Sequence, residues 1–318
     1  MADRKIVLLD AGTLGNDIDL SVFEQFGEVA SYEKTSPDLV RERTANADII
    51  IVNKVKCNKE TLGNDTTVKM ISIAATGFDN VDLDFCREKG IAVCNVPSYS
   101  SDSVAQLTAA MVFSLSVNLK QFTDYVSSGE YSKSGVANKL TPVYHDVAGK
   151  KWGIVGFGGI GQKVAKIAEA AGCEVMVCRK HPKGEPYETD IDTLCKECDI
   201  ISLHTPLNDS TKHLINKERL DMMKENVILV NVARGAVVDE AEVAKAVLSK
   251  KIAAFAADVY STEPFSEDHP YSSIAKLPNV CFTPHMAWGS YESRIRCVNV
   301  MSENITSFLT GARKNRID

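Results

Sequence analysis

The sequence has no surplus of positive charge: 36 lysines and arginines stand against 42 acidic residues, a net charge of −6. A chain with that balance has no bulk attraction for phosphate backbones or anionic membranes, so any anion site must be assembled locally. Nucleic acid and membrane surfaces are therefore poor candidates for a partner. No uninterrupted apolar run approaches the roughly 18 residues of a membrane span. The first ten residues carry charges on both sides of a short apolar stretch at 6–9. They lack the apolar core and small-residue cleavage site of a secretory signal, so a cytoplasmic protein is expected. Nine cysteines are an odd count in a long chain of this kind, which points to reduced thiols. Cys195 and Cys198 form a CxxC, but no second pair completes a zinc site. Two small apolar residues on a short helix are the simpler account, and no metal is expected. Internal repeats and low-complexity tracts are absent too.

What is present is an ordinary globular composition, 44% hydrophobic and 25% charged. Chains near this length bury roughly 75% of their unfolded surface and usually divide into two domains. Short apolar runs at 5–9, 28–32, 48–52, 70–74 and 91–95 read as buried strands, with periodic segments such as 37–47 and 81–89 between them. Strand–helix alternation of this kind predicts a parallel sheet covered on both faces. A second series begins at Trp152, with strands at 152–155, 173–178, 199–203, 227–232, 253–258 and 279–283. Six strands match the count of a complete dinucleotide-binding fold. Between the two series, Val104, Leu107, Met111, Leu115 and Leu119 recur at helical spacing, which predicts one long helix over 103–126. A polar, aromatic-sprinkled arm follows at 127–149. A last helix carries Ile295, Val298, Ile305 and Phe308 on one face.

The first strand of the second series runs into Gly156, Phe157, Gly158, Gly159, Ile160 and Gly161, a GxGxxG. Such spacing is weak evidence alone. Here a strand precedes it, a helix with Ile160, Val164, Ile167 and Ala171 on one face follows, and a further strand completes the βαβ unit. The first glycine permits a tight turn, the second lets backbone approach a diphosphate, and the third permits close helix packing. The helix N-terminus offers free N–H groups and the positive end of its dipole. A tight turn without a ligand is the alternative.

Ligands of open α/β sheets lie outside the carboxyl ends of the strands. Three successive strands of the second series are followed there by Arg234, by Glu263 and by His285. Each alone has an ordinary explanation as an ion pair, a loop acid or a buried imidazole. Together, a guanidinium, a carboxylate and an imidazole on the edge that carries the glycine turn make a candidate site. Histidine exchanges a proton near neutrality. A neighbouring carboxylate favours the imidazolium and fixes the ring. An arginine can grip a substrate carboxylate and stabilise charge developing on a carbonyl oxygen.

These segments carry a resemblance. The glycine turn, VNVARG at 230–235, DVYSTEP at 258–264 and TPHMAW at 283–288 resemble the D-isomer-specific 2-hydroxyacid dehydrogenases, as do AATGFDNVD at 74–82 and NVPSYSSDSVAQ at 95–106. The likeness spans essentially the whole chain and is nearest the glycerate dehydrogenase and hydroxypyruvate reductase branch. It implies an α/β protein of two doubly wound parallel-sheet domains around a cleft. The flavodoxin-like substrate domain would comprise 1–102 with 286–318, and the Rossmann domain binding NAD(P) would comprise 103–285. It implies hydride transfer between a nicotinamide and a small 2-oxo or 2-hydroxy acid, with Arg234, Glu263 and His285 catalytic. Ala75, Thr76 and Gly77 would bind the substrate carboxylate by backbone, assisted by Lys54, for which a solvated loop lysine is the alternative. Asp258 would hold the nicotinamide carboxamide, Val232 and Ala233 would line its ring, and Thr205 and Pro206 would lie near the ribose. The helix after Ser103 and its arm would form a homodimer contact.

One departure concerns the cofactor. NAD-using relatives carry an acid about 20 residues beyond the glycine turn, where it binds the ribose 2′-hydroxyl. This chain has Arg179 there, followed by Lys180 and His181, with no carboxylate between Glu174 and Glu185. A guanidinium suits the 2′-phosphate of NADP(H); NAD(H), tolerated by an arginine stacked on adenine, is the alternative. Two other classes fit less well. A corepressor-like dinucleotide sensor would keep similar residues, and a Rossmann methyltransferase leaves the Arg/Glu/His trio without a purpose.

Overall fold

Runs such as Ile49–Val52 and Met70–Ile73 are buried at every residue, as strands must be when helices cover both faces of a sheet. The structure is a computed structural model that describes residues 4–318. The chain divides into two units, one of Met1–Ser100 with Gly289–Asp318 and one of Ser101–Trp288.

In the first unit β1 (Lys5–Leu8), β2 (Glu28–Ser31), β3 (Ile49–Val52), β4 (Met70–Ile73) and β5 (Ala92–Cys94) form one parallel sheet in the order β2-β1-β3-β4-β5. That is the flavodoxin-like order, whose switch point lies between β1 and β3. The C-terminal helix, Tyr291–Leu309, packs on this unit and buries Cys297, Val298, Met301 and Ile305. Ile295 of the stripe read from the sequence is exposed instead. Asn304 donates its amide to the carbonyl of Asn95 (2.9 Å), and the amide of Ile317 bonds the carbonyl of Val93 (2.9 Å).

The second unit holds β6 (Lys151–Val155), β7 (Glu174–Cys178), β8 (Ile200–Leu203), β9 (Ile228–Asn231), β10 (Ala254–Ala257) and β11 (Val280–Phe282), all parallel, in the order β11-β10-β9-β8-β6-β7. The strand order reverses between β6 and β8, the switch point where such sheets bind dinucleotides. Outside β7, a single parallel bridge from Val177 to Glu188 occupies the place of a further strand. Trp152 is fully buried and donates its indole N–H to Ser202 (3.0 Å), so the largest core residue also satisfies a buried hydroxyl.

The long helix expected over 103–126 is two helices, Ser101–Ser116 and Leu119–Ser127. Asn118 between them has φ +53°, a left-handed conformation that ends the first helix and that asparagine tolerates better than most residues. Hydrophobic periodicity continues across the break, so it gives no sign of it.

Candidate active site

The glycine turn sits at the switch point of the second sheet. Gly156 has φ +93°, and a Cβ there would lie 2.6 Å from the carbonyl oxygen of His204, so only glycine lets this turn pass under the chain leaving β8. Its amide bonds the carbonyl of Cys178 (2.8 Å), which ties the turn to β7. Helix Gly159–Ala170 starts from Gly158 without a side-chain cap. Gly159, Ile160 and Gly161 form its first turn, whose N–H groups have no partner within the helix. A Cβ on Gly158 would meet no protein atom within 4 Å. Protein packing therefore does not demand glycine there, and its absent side chain leaves the helix N-terminus open to an anion. The residues fit a dinucleotide diphosphate. Thr205 and Pro206 follow directly on the same edge, where the Pro206 carbonyl accepts from Thr211 (2.7 Å). Beneath them, burial pushes the His204 imidazole down to about 3, so it is neutral at physiological pH.

His285 stands at φ +51° in the turn after β11. That turn is gathered by Asp258 at the end of β10, which is 1% exposed. Its carboxylate accepts from the Thr283 hydroxyl (2.6 Å) and from the amides of Met286 and Ala287 (2.9 Å each). Burial raises the Asp258 carboxyl above the ordinary range, and these hydrogen bonds oppose the rise. The partners shown by Asp258, expected by resemblance to meet a carboxamide, are thus those of the His285 turn. Nδ1 of His285 meets Oε2 of Glu263 at 2.6 Å, and Oε1 of Glu263 accepts the amide of Tyr260 (3.1 Å). Both side chains are about a quarter exposed, 25% for His285 and 29% for Glu263.

Arg234 enters from β9. Asn231, fully buried, donates to the Arg234 carbonyl (2.9 Å) and accepts from the Ala233 amide (3.1 Å), closing the turn behind the arginine. Val232 and Ala233 are buried at the same strand end. A Cβ on Gly235 would lie 2.0 Å from the Tyr260 carbonyl carbon, so the Arg234 turn packs directly on the chain that carries Glu263. The structure brings these three strand ends together.

Arg179 lies at the end of β7 with its side chain 16% exposed, and Lys180 beside it is exposed. Its charge has a partner that sequence distance hides. Glu188, brought to the outer edge of β7 by the bridge to Val177, forms an ion pair with the guanidinium. The other oxygen of Glu188 accepts the amides of Lys183 (2.7 Å), Gly184 (2.9 Å) and Glu185 (3.2 Å). Although burial pushes it up, these amides and Arg179 hold the Glu188 carboxyl below the usual carboxylate range. The absence of an acid between Glu174 and Glu185 thus gives an incomplete account of the charge around Arg179.

In the first unit, Lys54 follows β3 and is exposed. Asp10, after β1, accepts the amides of Asn53 (2.9 Å), Lys54 (2.6 Å) and Val55 (3.2 Å), which shapes that loop at the switch point of its sheet. Ala75, Thr76 and Gly77 follow β4. The Thr76 hydroxyl donates to the Val96 carbonyl (2.8 Å), and Asn95 donates to the Thr76 carbonyl (2.8 Å). Sequence reasoning missed Asp10 and Asn231. Their one signal is a polar residue directly ending an apolar strand.

A parallel dinucleotide sheet whose strand ends join an imidazole, a carboxylate and an arginine defines a class, the nicotinamide-dependent oxidoreductases. The profile of the D-isomer specific 2-hydroxyacid dehydrogenase family, NAD binding domain, matches residues 109–287. The chain is 33% identical to a glycerate dehydrogenase of Methylorubrum extorquens over 316 residues, 99% of each chain. It is also 33% identical to a hydroxypyruvate reductase of Blautia hydrogenotrophica, again over 99% of each. Among solved structures, an acyclic imino acid reductase in complex with NADPH and D-Arg superposes with a TM-score of 0.86 at 28% identity, over 99% of this chain and 100% of that one. The protein belongs to the D-isomer specific 2-hydroxyacid dehydrogenase family.

Proposed function

We propose that this protein reduces a small 2-oxo acid of the hydroxypyruvate or glyoxylate type to its D-2-hydroxy acid, and catalyses the reverse oxidation. The observation that carries this reading is the 2.6 Å pairing of His285 Nδ1 with Glu263 on the sheet edge that holds the glycine turn. With Nδ1 committed to the carboxylate, Nε2 gives its proton to the carbonyl oxygen in reduction and takes it back in oxidation. Glu263 fixes the ring and stabilises the imidazolium. Arg234 binds the substrate carboxylate and stabilises negative charge on the carbonyl oxygen. A bound nicotinamide supplies the hydride. Val232 and Ala233 are the proposed contacts to its ring and Asp258 to its carboxamide, and Lys54 with the backbone at 75–77 the proposed contacts to the substrate carboxylate.

The names of the relatives support the substrate class, and Arg179 supports NADPH as the preferred cofactor with NADH as the alternative. A homodimer is proposed on the resemblance and on the exposed Leu119, Val126, Val136, Leu140, Val143 and Tyr144 of the helix and arm after Asn118. The nine free thiols fit a reducing cytoplasm. A panel of 2-oxo acids, ranked by kcat/KM from nicotinamide absorbance with each cofactor, tests the reading. No turnover of any member would leave the dinucleotide-sensing alternative in its place.

A further inference from the structure

Glu240 is the first residue of helix Glu240–Leu248, and it is only 8% exposed. A buried carboxylate is costly unless it is paired and hydrogen-bonded. The helix does not require it, because Asp239 already caps the start by accepting the amides of Ala241 and Glu242. Its partners lie elsewhere. Oε1 accepts the amide of Ser261 (2.9 Å), and Oε2 accepts the Ser261 hydroxyl and Nε2 of His269 (3.0 Å). Nδ1 of His269 accepts the amide of Tyr271 (3.2 Å), which fixes its ring proton on Nε2, facing Glu240. Tyr271 is fully buried, its ring 5.2 Å from Phe255 of β10 and 5.1 Å from Phe282 of β11. The pair is therefore moored in the core.

The other end of this chain of contacts is the catalytic pair. The residue before Ser261, Tyr260, gives its amide to Oε1 of Glu263, whose Oε2 holds His285. The hydroxyl of Tyr260 donates to the Thr283 carbonyl (2.8 Å), two residues before His285, and the Arg234 turn packs at Gly235 on the same Tyr260–Ser261 peptide. Residues 261–264 are otherwise exposed loop. We infer that Glu240, backed by His269, is a positioning residue: it clamps the Tyr260–Ser261 peptide, and that peptide sets Glu263 and hence His285 in register with Arg234. This rests on the roles proposed above for Glu263 and His285.

The test is a set of double-mutant cycles on the full-length protein, reading kcat, both KM values and the binary cofactor Kd. Glu240→Gln sets an amide N–H against a donor in either orientation, the His269 N–H or the Ser261 amide; misplacement of a catalytic group costs on the order of 10²-fold in kcat. Cofactor Kd should not move. Ser261→Ala, which keeps the amide bond and loses the hydroxyl, should fold normally and cost about 3- to 10-fold in kcat. The diagnostic measurement repeats both changes in a Glu263→Gln background, where they should have almost no further effect on kcat, since the group they position no longer acts. A multiplicative loss in that background, or losses confined to KM, would overturn the inference and leave Glu240 a purely structural residue. If Glu240→Gln does not fold, the Ser261→Ala cycle decides alone. Wild-type kcat for Glu263→Gln by itself would instead overturn the reading of Glu263, an outcome distinct from failure of the clamp.

Discussion

Cofactor choice should turn on two residues acting against each other. If Arg179 holds the 2′-phosphate of NADPH, Arg179→Ala removes charge-assisted hydrogen bonds worth about 1.5–3 kcal/mol, or ~10- to 150-fold in affinity. Glu188 already engages the guanidinium, and the Arg179 side chain keeps 16% exposure. The competing carboxylate places the expected loss in the lower part of that range, ~10- to 40-fold in kcat/KM for NADPH, with NADH little changed. Glu188→Gln works in the opposite direction. The glutamine oxygen can still accept the amides of Lys183, Gly184 and Glu185, so the loop keeps its anchor while the guanidinium loses the carboxylate that competes with a phosphate. The NADPH-to-NADH ratio should then rise several-fold above wild type. Since Glu188 is held below the usual carboxylate range, it is ionised at any pH suited to assay, and the change is one of charge. Steady-state kinetics with each cofactor at low and moderate salt would measure it, and the contrast should shrink as salt rises. An Arg179→Ala variant that loses NADH and NADPH activity equally would refute the phosphate assignment, and wild-type preference for NADH would do the same.

Three further outcomes are expected. His285→Ala should lower kcat by roughly 10²–10⁴-fold, the usual cost of losing a general acid, and a kcat within a few-fold of wild type would remove His285 from that role. Arg234→Lys should raise KM for the oxo acid and lower kcat while cofactor Kd stays constant, because an ammonium cannot reproduce the guanidinium fork; near-wild-type kinetics would return Arg234 to an ordinary ion pair. Asp199 accepts the amide of Lys151 (3.0 Å) and pairs with Lys224 (2.9 Å), and although burial pushes it up these partners hold its carboxyl below the ordinary range. A depressed folded-state value gives stability that is present above the unfolded carboxylate range and lost as pH falls through the folded one. Asp199→Asn should therefore cost about 1 kcal/mol at neutral pH in urea unfolding, with the gap closing in acid; a pH-independent gap would contradict that linkage.

How much of this was legible in the sequence depends on the range of the interaction that fixes each feature. Strands such as β3 and β8 were readable because burial on both faces admits almost nothing but apolar side chains, and that demand is written residue by residue. The glycine turn was readable because Gly156 answers to a local backbone requirement and sits within one βαβ unit. Arg234, Glu263 and His285 were readable as a group only once the strands were placed, since parallel strands deliver the loops at their carboxyl ends to a single edge. The features that escaped are governed by pairing across the chain. Nothing near Glu188 announces that it closes on Arg179, because the bridge at Val177 that brings it there is one residue long. Glu240 reads locally as an acid in the first turn of a helix, where the dipole alone would favour it. Only the return of Ser261 and His269 to the same carboxylate shows that it is buried and already paired. Asn118 hides for a different reason: a left-handed asparagine interrupts the backbone without interrupting the apolar spacing around it. The polar residues invisible to pattern reading are thus those that hold a readable residue in place. Position in the chain marks the candidate groups, and pairing in space decides how firmly they are held.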